Sequence, residues 1–363
     1  MKIALYSPYA PGNFGGGEKH LFDIATHLAD RHQVSLACPK IEPEVATVLK
    51  QQYQSFLGYS IKDCDWVSSP LHDPKSSVLD KLLWTKQFDY LFSFTDGSLF
   101  FSAAKKNNLH FQVPLPPVKS LTQKLKLLNW QQKNANSYFT KSYIERNWGI
   151  KINDVLYPLI RVDQVSNNLP KKRIILAVGR FFKQLHSKRQ DILVEMFEKL
   201  LGNLQHATKP WKLILVGTVE DENYFNQIKQ LAKGLPIELK IDCSRDELNK
   251  LYGEASFFWH AAGYQVDQDA NPHLVEHFGI ATVEAMSAGA IPMVVYKGGQ
   301  VEILTNDLQE LGWQEQSECV AKTLALINDP DRMKKISNLC KQRAADFGDA
   351  QFTKSLNEMV THD

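Results

Sequence analysis

The sequence predicts an α/β protein of two domains, and three observations carry that prediction. Residues 2–38 read as strand, glycine loop, helix and strand, a βαβ unit that opens an α/β domain. The strand–loop–helix order begins again at Arg173, after a polar stretch with a proline, Val165 to Lys172 (VSNNLPKK), which reads as the linker. The length, 363 residues, is enough for two domains of ordinary size.

Composition narrows the class. Apolar residues make up 44% and charged residues 23%, the balance of a soluble globular protein. No run of 18 apolar residues is present, so nothing is expected to span a membrane. The start, MKIALYSPYAP, lacks a long apolar region and reads as a first strand, not a signal peptide. Five cysteines (Cys38, Cys64, Cys243, Cys319, Cys340) are scattered without metal-ligand spacing, as expected of reduced thiols in a cytoplasmic protein. Net charge is only +2 but uneven: from Gly97 to Lys151, nine basic residues face one acid, Glu145. Such an excess points to an anionic partner or surface.

In the first half, residues 2–8 (KIALYSP) form an apolar strand. Tyr9 to Gly17 follows as a loop containing Gly12, Gly15, Gly16 and Gly17. There, bare N–H groups can meet phosphate or sugar. The glycines miss the G-x-G-x-x-G dinucleotide spacing, and a plain tight turn is the competing reading. Glu18 to Arg31 has helical spacing through Leu21, Ile24, Ala25 and Leu28, and Val34 to Cys38 is a strand closed by Pro39. Residues 41–86 carry helix and loop signals only. Tyr90 to Phe94 is a strand with the turn Thr95-Asp96-Gly97-Ser98 at its carboxyl end, where doubly wound sheets bind ligands. Leu109 to Pro114 brings His110, which is either a ligand-facing group or a structural strand histidine. Val118 to Trp148 mixes Lys119, Lys124 and Lys126 with Leu125, Leu127, Leu128 and Trp130 at helical spacing. That mixture suits an anionic membrane surface, or a solvated helix face over core leucines.

The second half opens with the strand Arg173 to Val178, then Gly179-Arg180, a loop to Ser187-Lys188-Arg189, and a helix from Gln190 to Leu201. Two cations after a strand suit a leaving group that gains charge. Trp211 to Gly217 and Ile237 to Ile241 are strands around a helix from Glu220 to Leu231. Ser244 reads as an N-cap, with Asp246 and Glu247 in the first turn. Ala255 to His260 is a strand that leads through a polar loop to HLVEHFGIATVEAMSAGAIP, residues 273–292. Ile280 to Ala288 reads there as a short helix, Gly289 as its C-terminal glycine and Ile291 to Val295 as a buried strand. A helix start attracts anions, and Gly279 permits close approach. Glu276 falls just outside this helix and Glu284 about one turn inside, so the two carboxylates can grip two parts of one elongated ligand. Asp329 to Val360 reads as a helical tail.

Glu276, then HFGIATV, then Glu284, followed by AMSAGAIPMVV, resembles the E-x7-E signature of the retaining glycosyltransferases of family four. The likeness extends to Gly179-Arg180…Lys188, to Gly298-Gly299-Gln300-Val301-Glu302 and, more loosely, to the first glycine loop. The resemblance implies the GT-B fold: two Rossmann-like domains facing across a cleft. Residues 1–165 would form the acceptor side and 172–340 the nucleotide-sugar side, with 341–363 a C-terminal helix packing back on the first domain. It implies a retaining, metal-independent hexosyltransferase with no cofactor beyond its substrate. By resemblance Glu276 serves the transferred sugar, with the backbone N–H groups of His277, Phe278 and Gly279. Glu284 would bind the ribose, Arg180 and Lys188 the diphosphate, and Ser244 and Arg245 would lie near the nucleobase. On the acceptor side fall Gly15, Gly16 and Gly17, with Asp96 and His110 as candidates to orient the attacked hydroxyl. Glu276-His277-Phe278-Gly279-Ile280 looks like the run in lipid-linked oligosaccharide mannosyltransferases, which favours GDP-mannose; a UDP-sugar remains the open alternative. The expected partners are the nucleotide-sugar donor, a glycan or lipid-linked acceptor and an anionic membrane on the inner face of the plasma membrane, with no nucleic acid.

Two rival readings accompany this one. His273-Leu274-Val275-Glu276-His277 matches H-x-x-E-H, a zinc-hydrolase motif that needs both histidines on one helical face. Pro272 and Gly279 leave barely one turn for it. The other rival is a non-catalytic sugar- or nucleotide-binding protein on the same scaffold.

Overall fold

The computed structural model describes residues 1–10, 12, 14–61, 64–165, 169–184, 187–204 and 210–361. The chain forms two compact units, Met1–Leu159 with Ala350–Asp363, and Ile160–Asp349.

The first unit is built on β1 (Lys2–Tyr6), β2 (Gln33–Cys38), β3 (Cys64–Ser68), β4 (Tyr90–Phe94), β5 (Lys106–Phe111), β6 (Gln132–Ala135) and β7 (Asp154–Val155). Their order is β3-β2-β1-β4-β5-β6-β7, parallel throughout. Strands β1 and β4 are covered on both faces, which is why IALY and YLFSF do not alternate apolar with polar. One face packs Leu21, Phe22, Ile24 and Leu28 of the helix Gly16–Ala29 together with Phe352, Leu356, Met359 and Val360 of the last helix. The other packs Leu127, Trp130, Ile144 and Ile152.

In the second unit, β8 (Lys172–Val178), β9 (Lys212–Gly217), β10 (Ile237–Ile241), β11 (Ala255–His260), β12 (Ile291–Val295) and β13 (Gly312–Trp313) form a parallel sheet. The order is β10-β9-β8-β11-β12-β13. The strand order of both sheets reverses once, between β1 and β4 and between β8 and β11. Crevices at carboxyl ends beside such reversals are where open α/β sheets bind ligands.

Several boundaries depart from expectation. Strand β3 was not foreseen, because an edge strand of mixed polarity (CDWVS) lacks the buried apolar run of its neighbours. The helix after β1 starts at Gly16, so Gly16 and Gly17 are its first residues and not loop. Val118 to Trp148 is a helix Leu121–Leu127, strand β6 and a helix Tyr138–Trp148, with Trp130 in the core at 1% exposure. Of the expected linker, Val165 belongs to the second unit's core, Ser166, Asn167 and Asn168 lie outside the described residues, and Lys172 opens β8. The tail is two helices, Pro330–Ala345 and Asp349–Thr361. The first stays with the second unit because Ser337 Oγ donates to Gly289 O and Arg343 donates to the carbonyls of Glu302 and Ile303. Residues 341–349 therefore belong to the second unit, not to the returning helix. Among the described residues no helix is long and apolar enough to cross a membrane.

Candidate active site

In the second unit the loop after β8 and the end of β11 meet beside the reversal of strand order. Glu276, delivered by the loop after β11, receives two partners on one oxygen. Lys188 Nζ lies 2.5 Å and His260 Nε2 2.9 Å from Glu276 Oε2. The three side chains are 24%, 4% and 17% exposed for Lys188, His260 and Glu276, so the cluster is enclosed yet reachable at its rim. Burial alone would raise the carboxyl; the Lys188 charge and the His260 hydrogen bond outweigh it and hold Glu276 well below the usual carboxylate range. Burial depresses the His260 pKa, and the neighbouring carboxylate offsets this only in part. The resting cluster is thus an anion, a cation and a neutral imidazole. His260 was missed from sequence; its one signal was its place as the last residue of a strand, ASFFWH, at the ligand-binding end.

The helix Ile280–Ser287 begins directly after Glu276-His277-Phe278-Gly279. Gly279 has φ 120°, and a Cβ there would meet Gln300 Nε2 at 2.7 Å, so both conformation and space require glycine. Gly298 is tighter still: its Cβ would stand 2.2 Å from the Glu276 carbonyl oxygen, and Gly299 N donates to that oxygen at 2.8 Å. The glycine pair therefore sets the backbone that carries Glu276 and the helix start. Glu284, one turn in and 4% exposed, accepts from Arg245 Nη2 at 2.7 Å. Tyr252 stands beside it, its phenol pushed well above the ordinary value by burial and then by the Glu284 charge. The Ser244 hydroxyl caps the helix Arg245–Glu254 by accepting from Glu247 N at 3.2 Å. Arg180 is exposed and pairs with Glu220 at 3.0 Å. The Lys188 stem fills the space a Gly179 side chain would take, which brings the two cations to neighbouring positions.

In the first unit, Gly15 is the uncapped N-cap of the helix Gly16–Ala29; Pro11 and Asn13 of this loop lie outside the described residues. Asp96 is exposed beyond β4 and accepts from Ser98 N at 2.9 Å and Ser98 Oγ at 2.6 Å. Burial, with the Asp96 charge second, pushes the Tyr6 phenol up to about 12. His110 corrects the expectation: it is 0% exposed, bonded through Nδ1 to Asn134 Oδ1, with its ring 4.9 Å from that of His20. Every residue of β5 after its first is buried, in a sheet covered on both faces, so His110 is a packing residue. Gln112, two residues on, is the side chain that reaches the glycine loop, donating to Gly17 O at 3.3 Å.

This burial has a measurable consequence. The His110 pKa drops to about 4 because burial disfavours the imidazolium, and His20 is lowered for the same reason. Between about pH 6.5 and pH 4 the unfolded chain binds protons there that the folded core refuses. Stability from these histidines is therefore complete above pH 6.5 and falls as pH falls. His110 alone accounts for about 3 kcal/mol by pH 4. Urea midpoints at pH 7 and 4.5 measure the drop, which His110→Asn should flatten.

The zinc motif does not form its helix. His273 is exposed on a single turn, Pro272–Leu274, and Val275 is extended with φ −99° and ψ 171°. Among the described residues no group of three or more His, Cys, Asp or Glu side chains is placed to hold a metal.

Residues 161–343, which include Lys188, His260, Glu276 and Glu284, match the family described as "Glycosyl transferases group 1". The chain belongs to that family. Curated relatives include the GDP-Man:Man(3)GlcNAc(2)-PP-Dol alpha-1,2-mannosyltransferases of Dictyostelium discoideum and Homo sapiens. The first is 31% identical over 43% of this chain and 31% of the relative. The second is 26% identical over 60% of this chain and 46% of the relative, so the chain spans less than half the length of either. Among solved structures, a glycosyltransferase from Rickettsia africae superposes with a TM-score of 0.72 at 15% identity over 100% of both chains. Anabaena HepE in complex with UDP-glucose superposes with a TM-score of 0.70 at 17% identity over 99% of both. The family member has the GT-B α/β architecture, two parallel sheets with helices on both faces.

Proposed function

We propose that this glycosyltransferase-family protein moves a hexose, mannose from GDP-mannose, to a hydroxyl of a glycan or lipid-linked acceptor with retention of configuration. The observation that carries this reading is the Glu276–Lys188–His260 cluster beside the start of the helix Ile280–Ser287. It supplies an anion for the sugar hydroxyls, a cation for the diphosphate and the positive end of a helix for negative charge in one place. The relatives' dolichol-linked GDP-mannose chemistry supports the choice of donor and acceptor. A neighbour holding UDP-glucose keeps a UDP-sugar as the second reading. Glu284 with Arg245 takes the nucleoside end, and Arg180 and Lys188 neutralise the leaving diphosphate without a divalent metal. Arg180's present partner is a solvent-exposed carboxylate, a pair worth at most about 1 kcal/mol, so releasing it costs little.

A thermal-shift series with GDP-mannose, UDP-glucose, GDP and UDP, with and without EDTA, tests this. Stabilisation by the guanosine pair, unchanged by EDTA, is expected. No shift with any nucleotide moves the weight to a binding protein for another ligand, and loss of the shift with EDTA removes metal independence. Arg180→Ala with Lys188→Ala is expected to weaken nucleoside-diphosphate binding by about 100-fold, since each cation makes a charge-assisted contact worth about 1.5 kcal/mol. Unchanged affinity would place the phosphate site elsewhere.

The acceptor's lipid suggests a surface. On the helix Leu121–Leu127 and its cap, Leu121, Leu125 and Leu128 are 73%, 51% and 79% exposed, flanked by Lys119, Lys124 and Lys126. These residues at i, i+4 and i+7 share one face, with cations beside it and no acid, the pattern of an interfacial helix on an anionic bilayer. Lys119→Gln, Lys124→Gln and Lys126→Gln together should reduce sedimentation with phosphatidylglycerol vesicles by about tenfold. Equal sedimentation would leave these lysines as solubility charges.

A further inference from the structure

We infer that His260 is a positioning residue for Glu276, keeping the carboxylate aimed at the transferred sugar once Lys188 is drawn to the donor diphosphate. The inference rests on the donor assignment above. Both contacts of Glu276 fall on Oε2, which leaves Oε1 with no hydrogen-bond partner among the described residues. The two partners differ in freedom. Lys188 carries its charge on a flexible stem from the loop after β8, 24% exposed. A diphosphate brings more negative charge than one carboxylate and competes for that ammonium. His260 cannot follow. It ends β11, 4% exposed, with its ring near-parallel to Phe258 at 6.4 Å and 22°.

The chemistry of the ring supports a fixed role. An ionised carboxylate only accepts, so Nε2 carries the proton given to Glu276. Nδ1 is then bare, and it is buried with no hydrogen-bond partner among the described residues. A half-satisfied buried imidazole costs stability, and an aromatic or aliphatic side chain would fill this place without that cost. What the imidazole supplies is one fixed donor to Oε2, which turns Oε1 toward the ligand side of the cluster and keeps it there when the lysine leaves.

The test compares His260→Ala, His260→Gln and His260→Asn in the full chain. Glutamine can place an N–H near the position of Nε2; asparagine falls short of it. Two quantities are read: kcat for transfer or donor hydrolysis, and the affinity ratio of nucleotide sugar to nucleoside diphosphate. His260→Ala should lower kcat about 10- to 100-fold and erase the affinity the sugar adds, with nucleoside-diphosphate affinity held within about twofold. His260→Gln should recover most of both; His260→Asn should not. Unchanged kcat in His260→Ala overturns the inference. So does an equal loss of sugar and diphosphate affinity, or a glutamine variant no better than alanine, because either marks a packing role. If the wild type itself shows neither turnover nor sugar-dependent affinity with GDP-mannose or UDP-glucose, the transferase reading fails, and this inference fails with it.

Discussion

Glu276→Gln is expected to lower turnover about 10²- to 10³-fold while leaving nucleoside-diphosphate affinity unchanged or slightly improved. The substitution keeps shape and removes charge. As the bond to the diphosphate breaks, the sugar carbon gains positive character, and an anion held at a fixed distance stabilises that state more than the ground state. The neighbouring cation and imidazole donor keep Glu276 ionised far below neutral pH, so the charge is present throughout the working range. The direction for the diphosphate is opposite in sign. Lys188 now spends its ammonium on Glu276 Oε2, and glutamine releases it. A loss confined to kcat, measured by single-turnover kinetics beside GDP and UDP titrations, is the expected pattern. Turnover equal to wild type would remove Glu276 from the chemistry.

The parts of this picture that were legible in the sequence were those written in local pattern. Apolar runs such as IALY, ILAV and FFWH gave the central strands, since strands covered on both faces need not alternate. The run from Glu276 to Glu284 gave the helix start, because glycine, helix and buried strand follow one another within one short stretch. Sequence failed where a side chain's role depends on where a buried element ends. His110 and Gln112 are two residues apart and share one side of the segment, but His110 is paired between β4 and β6 while Gln112 lies just past the end of β5 and reaches the glycine loop. His260 failed differently: its partner lies 16 residues on in the chain, after a loop whose path no local pattern gives. The basic stretch 97–151 is one feature in sequence but not in space: the fold spends Lys141 on Ile152 O and Lys133 on Trp130 O and leaves one face of Leu121–Leu127 to solvent.

Arg245→Met is expected to destabilise the protein by about 3–5 kcal/mol. Its guanidinium is 16% exposed and the Glu284 carboxylate 5% exposed, at 2.7 Å. Removing the arginine leaves a carboxylate enclosed beside Tyr252, in surroundings that hydrate it poorly. The penalty is that stranded charge, not the worth of the pair. The double variant Arg245→Met, Glu284→Gln should therefore recover much of the loss, since the buried anion is gone. A purely structural pair would regain function with stability. A pair that also holds the nucleoside would not: in the double variant melting should return towards wild type while nucleotide affinity stays reduced by about tenfold or more. Chemical denaturation and nucleotide titration on the same three proteins separate the two. If the double variant melts no higher than Arg245→Met, the stranded-charge account is wrong. If it binds nucleotide as well as wild type, Glu284 and Arg245 are fold residues, and the nucleoside end of the site must be sought elsewhere on the second unit.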